Sequence, residues 1–237
     1  MHPILFQIGS FTVYTYGVFV AIAAGVALVL AERRAGRLGI GRGMAADVLF
    51  VLFVSGVIGA RLFFVWQHAE DYRNQFWKAL WIPEGGLVWY GGFLTAAVAG
   101  TAYAVWRKMP VFRLADFFSP ITSLAHAIGR IGCFFNGCCY GRMFGSRQAP
   151  VQLAESVLLA ALSVFLFRRL SKDHPEGSIF IEYVLGYSTI RFFIEFLRGD
   201  QTVFYFLTLP QWTSAVLFAA ALFFRHSLKS GRPRRPA

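Results

Sequence analysis

Six ionisable residues stand inside or at the ends of long apolar runs: Arg61, His126, Arg130, Glu155, Arg191 and Glu195. A charge near the middle of hydrocarbon costs roughly 2.5–3.5 kcal/mol even on the mildest insertion scale, so such residues come with a partner or a use. His126 and Arg130 are four apart and share a helix face. Arg191 and Glu195 have the same spacing, which suits an ion pair. Arg61 has the further option of snorkelling to a span end.

The segment around Arg130 reads His126-Ala-Ile-Gly-Arg130-Ile-Gly-Cys133-Phe-Phe-Asn136-Gly-Cys138-Cys139-Tyr140-Gly-Arg142. Its glycines favour close helix packing and then a tight turn. Asn136 and Tyr140 add hydrogen-bond donors. Arginine, asparagine and open backbone near a membrane surface suit an anionic head group, because guanidinium matches phosphate oxygens in a bidentate fashion. A second glycine-rich stretch, Glu84-Gly-Gly-Leu-Val-Trp-Tyr90-Gly91-Gly92, opens an apolar run. Glycine at a helix start exposes N–H groups to an anion, though such pairs also occur wherever membrane helices pack.

Cys133, Cys138 and Cys139 lie within seven residues, unlike the spread pattern of a disulfide framework. Four readings stand, in descending order: packed small residues, a disulfide, a metal site and a covalent intermediate. A metal site lacks an evident fourth ligand, so no metal and no cofactor is expected.

These residues need apolar helices to carry them. With 57% hydrophobic and 15% charged residues among 237, the chain is too apolar for an ordinary soluble domain. Its net charge of +11 does not signal nucleic-acid binding, because the basic residues fall between apolar segments and not on one face. The pattern predicts an all-α integral membrane protein, one polytopic domain over residues 1–229 with a basic tail at 230–237. Seven spans are expected at about 10–31, 46–69, 86–106, 114–135, 150–167, 178–198 and 202–224.

The opening Met1-His2-Pro3 lacks the basic region of a cleavable signal, so the first span is expected to stay in the protein. Basic residues crowd alternate connections: Arg33, Arg34, Arg37 and Arg42; Arg107, Lys108 and Arg113; Arg168, Arg169 and Lys172; then Arg225, Lys229, Arg232, Arg234 and Arg235. By the positive-inside rule the N-terminus is outside and the C-terminus cytoplasmic. The aromatic connection from Gln67 to Gly85 suits the outer membrane–water interface.

In order and spacing these elements resemble the bacterial prolipoprotein diacylglyceryl transferases, nearly end to end. The resemblance rests on Tyr16-Gly17, Gly59-Ala-Arg61, the two Gly-Gly pairs, Gly129-Arg130-Ile-Gly132 with Asn136-Gly137 and Tyr140-Gly141-Arg142, Pro150-Val-Gln152-Leu-Ala-Glu155, Gly186 through Arg198, and Gln211 with Ser214. The chain departs from the family pattern where Asn is usual at Cys133, Glu at Cys138 and His at Tyr90.

The resemblance implies transfer of the diacylglyceryl group of phosphatidylglycerol to the thiol of the lipobox cysteine in a preprolipoprotein signal peptide. The products are a thioether and glycerol phosphate, and the place is the bacterial inner membrane, with the site near the outer leaflet. Arg130 and Arg191 are then the phosphate clamp. Arg61, Tyr16, Asn136, Gly137, Gly91, Gly92, Glu155, Glu195 and Arg142 are the substrate-binding candidates. For the base, Tyr90 holds the family position, but a phenol near pKa 10 is a poor base. His126 is the alternative, with a pKa nearer neutrality. Glu155 and Glu195 are further candidates, and a clamp that lowers the thiol's pKa would need no separate base.

Overall fold

In the computed structural model, residues are described throughout except 1, 10, 37–39, 42, 74–75, 81–84, 200 and 231–237. Arg37, Arg42, Trp81, Glu84 and the tail arginines Arg232, Arg234 and Arg235 therefore lie outside the described residues. The fold is all-α, with 73% of the described residues helical. The long helices are α1 (Thr15–Ala35), α2 (Met44–Gln67), α5 (Trp89–Trp106), α6 (Val111–Asn136), α7 (Val151–Leu170), α8 (Ser178–Glu195) and α9 (Leu209–Ser230). Short helices α3 (Ala69–Tyr72) and α4 (Phe76–Ala79) lie between α2 and α5. Among the described residues α1, α2 and α7 are long and apolar enough to cross a membrane.

The outer helix boundaries differ from expectation where hairpins intervene. Antiparallel strands β1 (Ile4–Ile8) and β2 (Phe11–Tyr14) turn at Gly9, whose φ is 58°, so α1 starts at Thr15 and not near residue 10. Likewise β5 (Val203–Phe204) and β6 (Leu207–Thr208) delay α9 to Leu209. The α6–α7 connection carries the third hairpin, β3 (Met143–Phe144) with β4 (Arg147–Gln148).

The chain forms two compact units, Ala31–Val111 and Met1–Leu30 with Phe112–Ala237. In the first, α2 and α5 pack antiparallel through small residues, the usual way for helices to approach in lipid. A Cβ on Gly92 would come within 2.9 Å of the Gly56 carbonyl, and one on Gly59 would run into Thr95. The Thr95 hydroxyl donates to the carbonyls of Gly91 (2.7 Å) and Ser55 (3.1 Å).

In the second unit α6 and α7 are stitched by buried serines. Ser156 donates to the Ala127 carbonyl (2.8 Å), Ser163 to Pro120 (2.7 Å) and, in the reverse direction, Ser123 to Leu159 (2.8 Å). The seven-residue step on each helix keeps one face in register, antiparallel. Helix α8 is capped from α6: both Asp116 carboxylate oxygens accept, from the N–H of Gly177 (2.6 Å) and of Phe180 (2.7 Å). An acceptor here satisfies free donors of a helix start.

The small-residue seam predicts that Gly59→Ala lowers the thermal stability of the detergent-solubilised protein by about 1–3 kcal/mol, through overpacking against Thr95. Gly25→Ala, which meets open space on α1, serves as the control and should cost nothing measurable.

Candidate functional site

The charged residues of the second unit converge. Arg130 Nη2 lies 2.9 Å from Glu155 Oε1, while the other oxygen of the same carboxylate faces Arg191 Nη1 at 3.9 Å. Arg191 Nη2 reaches Glu195 Oε2 at 2.9 Å, and Arg198 Nε stands 3.8 Å from that oxygen. The line therefore runs Arg130–Glu155–Arg191–Glu195–Arg198 across α6, α7 and α8. Both glutamates are buried, and Arg130 and Arg191 keep only 11% of their side-chain surface. Among the described residues, three guanidiniums against two carboxylates leave one positive charge in excess.

Not every donor in this line is used. Arg130 Nε and Arg191 Nη1 are buried without a hydrogen-bond acceptor. Buried polar groups are nearly always paired, and an unpaired guanidinium N–H costs more than a neutral one. Two such donors from different helices beside an excess positive charge describe a seat for an anion. His126 belongs to the same place: its ring centroid is 5.7 Å from that of Tyr187, and both guanidiniums act on it electrostatically.

The turn after Arg130 is tied down on two sides. Gly137 takes φ 77°, and the Cys138 N–H donates to the Cys133 carbonyl at 3.2 Å. Asn136 ends α6, half-buried. Residues 140–142 lie against 197–199: the Arg142 N–H donates to the Leu197 carbonyl (2.7 Å), its Nε to that of Arg198 (3.1 Å), and the Gly199 N–H to that of Tyr140 (3.1 Å). Arg142 is thus a brace between the signature turn and the end of α8. Gly132 admits α1, because a Cβ there would meet Phe19 at 2.8 Å and the ring of Tyr16 at 3.3 Å. Tyr16 lies close enough to Arg130 and the three cysteines to interact with their charges. Beyond the helix, a hydrogen bond from Cys133, and then Arg130 and Arg198, hold the Cys139 thiol below its ordinary value.

Arg61 has a different task in its own unit. Its Nε donates to the Ala79 carbonyl (2.7 Å), Nη1 to those of Gly85 (2.7 Å) and Gly86 (3.1 Å), and Nη2 to that of Lys78 (2.6 Å). The guanidinium also lies over the rings of Phe64 and Tyr72. Gly85 and Gly86 take φ 85° and 80° and turn their carbonyls to this cation, a different use from the N–H cradle expected of them. Gly91 and Gly92 are packing positions against Phe63 and Gly56. Tyr90 stands half-exposed in the first turn of α5.

Three contributors went unread in the sequence. Thr208-x-x-Gln211 is a capping box: Gln211 Oε1 accepts the Thr208 N–H (2.9 Å), and the Thr208 hydroxyl oxygen accepts the Gln211 N–H (3.4 Å). The same hydroxyl donates to Glu195 Oε1 at 3.0 Å. Asp116, the acidic cap of α8, and Arg198, three residues after Glu195, complete the set.

Two predictions follow from the charges. Glu155→Gln leaves the buried Arg130 guanidinium without its carboxylate, while Arg191 keeps Glu195, and should cost about 3–5 kcal/mol by thermal unfolding in detergent, whereas Arg113→Ala, in an exposed pair with Glu176, should cost less than about 1 kcal/mol. Arg61→Lys keeps the charge but not the fan of donors, so cleavage beside Lys78, Ala79, Gly85 and Gly86 should become faster in limited proteolysis, read by mass spectrometry.

Comparison with known proteins identifies a family. The family model for prolipoprotein diacylglyceryl transferase matches residues 3–226. The chain is 32% identical, over 99% of both chains, to the phosphatidylglycerol–prolipoprotein diacylglyceryl transferase of Clostridium kluyveri. The protein of the same name from Parasynechococcus marenigrum is 34% identical over 78% of this chain and 76% of its own. That of Clostridium botulinum is 31% identical over 96% of this chain and 97% of its own. The chain belongs to the prolipoprotein diacylglyceryl transferase family.

Proposed function

We propose that this chain transfers the diacylglyceryl group of phosphatidylglycerol to the thiol of a preprolipoprotein's lipobox cysteine. The observation that carries this reading is the pair of unsatisfied donors, Arg130 Nε and Arg191 Nη1, beside the excess positive charge of a buried ion-pair line. Membership of the family supports it independently.

The reaction has two demands. The attacking thiol must become a thiolate, and the negative charge on the departing phosphate must be stabilised. In the step itself the thiolate sulfur forms a bond to the glyceryl carbon that carries the phosphate, and that carbon–oxygen bond breaks. Glycerol phosphate leaves with the electron pair. Arg130 and Arg191 meet its oxygens, while Glu155 and Glu195 hold the two guanidiniums in position. Burial strengthens this, since a charge–charge interaction gains severalfold when water is excluded. Asn136 and Gly137, next to Arg130 along the chain, meet the glycerol or the phosphate. The positive charge of the two arginines favours the thiolate directly and disfavours an imidazolium at His126, so the thiol proton leaves on the glycerol phosphate.

The enzyme sits in the bacterial inner membrane as seven spans formed by the long helices, N-terminus outside, with the head-group site near the outer leaflet. The basic connections, placed cytoplasmic, support that orientation. The aromatic helices α3 and α4, with Trp77 strongly exposed, lie along the outer interface.

Complementation tests the reading. In a strain depleted of its own diacylglyceryl transferase, the chain should restore lipidated prolipoprotein, and well-expressed chain without lipidation would refute the proposal. Arg130→Ala and Arg191→Ala should each lower the rate by roughly 10²-fold or more, and Arg113→Ala should not. His126→Ala and Tyr90→Phe should each cost less than about tenfold; a loss of about 10²-fold or more at either would place a general base there.

A further inference from the structure

The cysteine cluster plays no part in the chemistry above, yet its geometry is that of a ligand set. The sulfurs of Cys133, Cys138 and Cys139 all lie within 4.8 Å of one another. Thiolates on one zinc ion at about 2.3 Å each stand about 3.8 Å apart, so closing the cluster needs shifts of roughly 1 Å or less. We propose that Cys133, Cys138 and Cys139 together bind a zinc ion, as three thiolate ligands with a fourth position left open.

The backbone already holds the three in place. Cys133 is on the buried face of α6, and the turn at Gly137 brings the next two residues back over the helix end. Cys138 is fixed twice, by its own N–H on the Cys133 carbonyl (3.2 Å) and by Gln152 Nε2, which donates to the Cys138 carbonyl at 2.8 Å. Gln152 is buried on α7, so this second contact is a rigid brace. Cys139 takes a left-handed conformation, φ 58°, which swings its side chain toward the other two. Preorganisation of this kind lowers the ordering cost of taking up an ion.

Charge favours the same ion. Three thiolates and one divalent zinc carry a net charge of −1. The neighbouring line of three arginines and two glutamates carries an excess of +1, and Arg130, at its end, lies close to Cys133 and Cys139. Zinc is also the common ion that accepts three protein ligands and an open position.

The full chain, purified in detergent, reduced, and stripped with a chelator, is titrated with Zn²⁺ or, for spectroscopy, Co²⁺. We expect about one metal ion per chain, protection of the thiols from Ellman's reagent, and a thiolate-to-cobalt charge-transfer band in the near ultraviolet. Cys138→Ser and Cys139→Ser lie in a half-buried turn and leave α6 intact, which a thermal melt checks. Each should weaken zinc binding roughly tenfold or more. Zinc retention equal to that of the Cys138→Ser/Cys139→Ser double variant would overturn the proposal. So would the absence of the cobalt band, or a disulfide between any two of the three in protein isolated with thiols trapped.

Discussion

One carboxylate, that of Glu155, stands between two guanidiniums delivered by different helices. Without it Arg130 and Arg191 would repel at short range in a poorly screened interior. With it, both can be desolvated and still keep donors free for a third partner. The surrounding architecture serves that arrangement. The serine contacts set the rotation of α7 against α6, so Glu155 meets Arg130. Asp116 fixes the start of α8, and the turn pairing of 140–142 with 197–199 fixes its end. Arg191 is therefore held at both ends of its helix.

Arginine is used in two opposite ways. Arg61 directs its donors to carbonyls of a connecting segment, and its charge is met by their dipoles and by aromatic faces. Its acceptors include the carbonyls of Lys78, Ala79, Gly85 and Gly86. Arg130 and Arg191 meet carboxylates and keep an unsatisfied N–H each. Burial alone does not separate these roles. The count of satisfied donors does.

Much of this was legible in the sequence, for identifiable reasons. The long helices follow from apolar length, and Arg191 with Glu195 from a spacing of four, both local properties. The meeting of Arg130 and Arg191 was implied by the family resemblance, but the bridging by the one carboxylate of Glu155 depends on three helices meeting and has no local signal. The role of Arg61 was hidden for the same reason, since its acceptors are backbone atoms that carry no residue-type signature. The hairpins at 4–14 and 203–208 were absorbed into apolar runs, because hydropathy does not distinguish a short strand from the start of a helix. Thr208-x-x-Gln211 was visible as a capping box and was masked by the same run.

That box ties two processes that are usually separate. The Thr208 side chain closes the first turn of α9 and also holds one oxygen of Glu195. The start of a helix and the aim of a buried carboxylate are then thermodynamically linked, and linkage is reciprocal. Any change at Arg191 that re-aims Glu195 is coupled to the cap, and that coupling free energy is the same read from either end. Helix α9 thereby becomes a reporter of the charge state of a site to which it contributes no charge of its own.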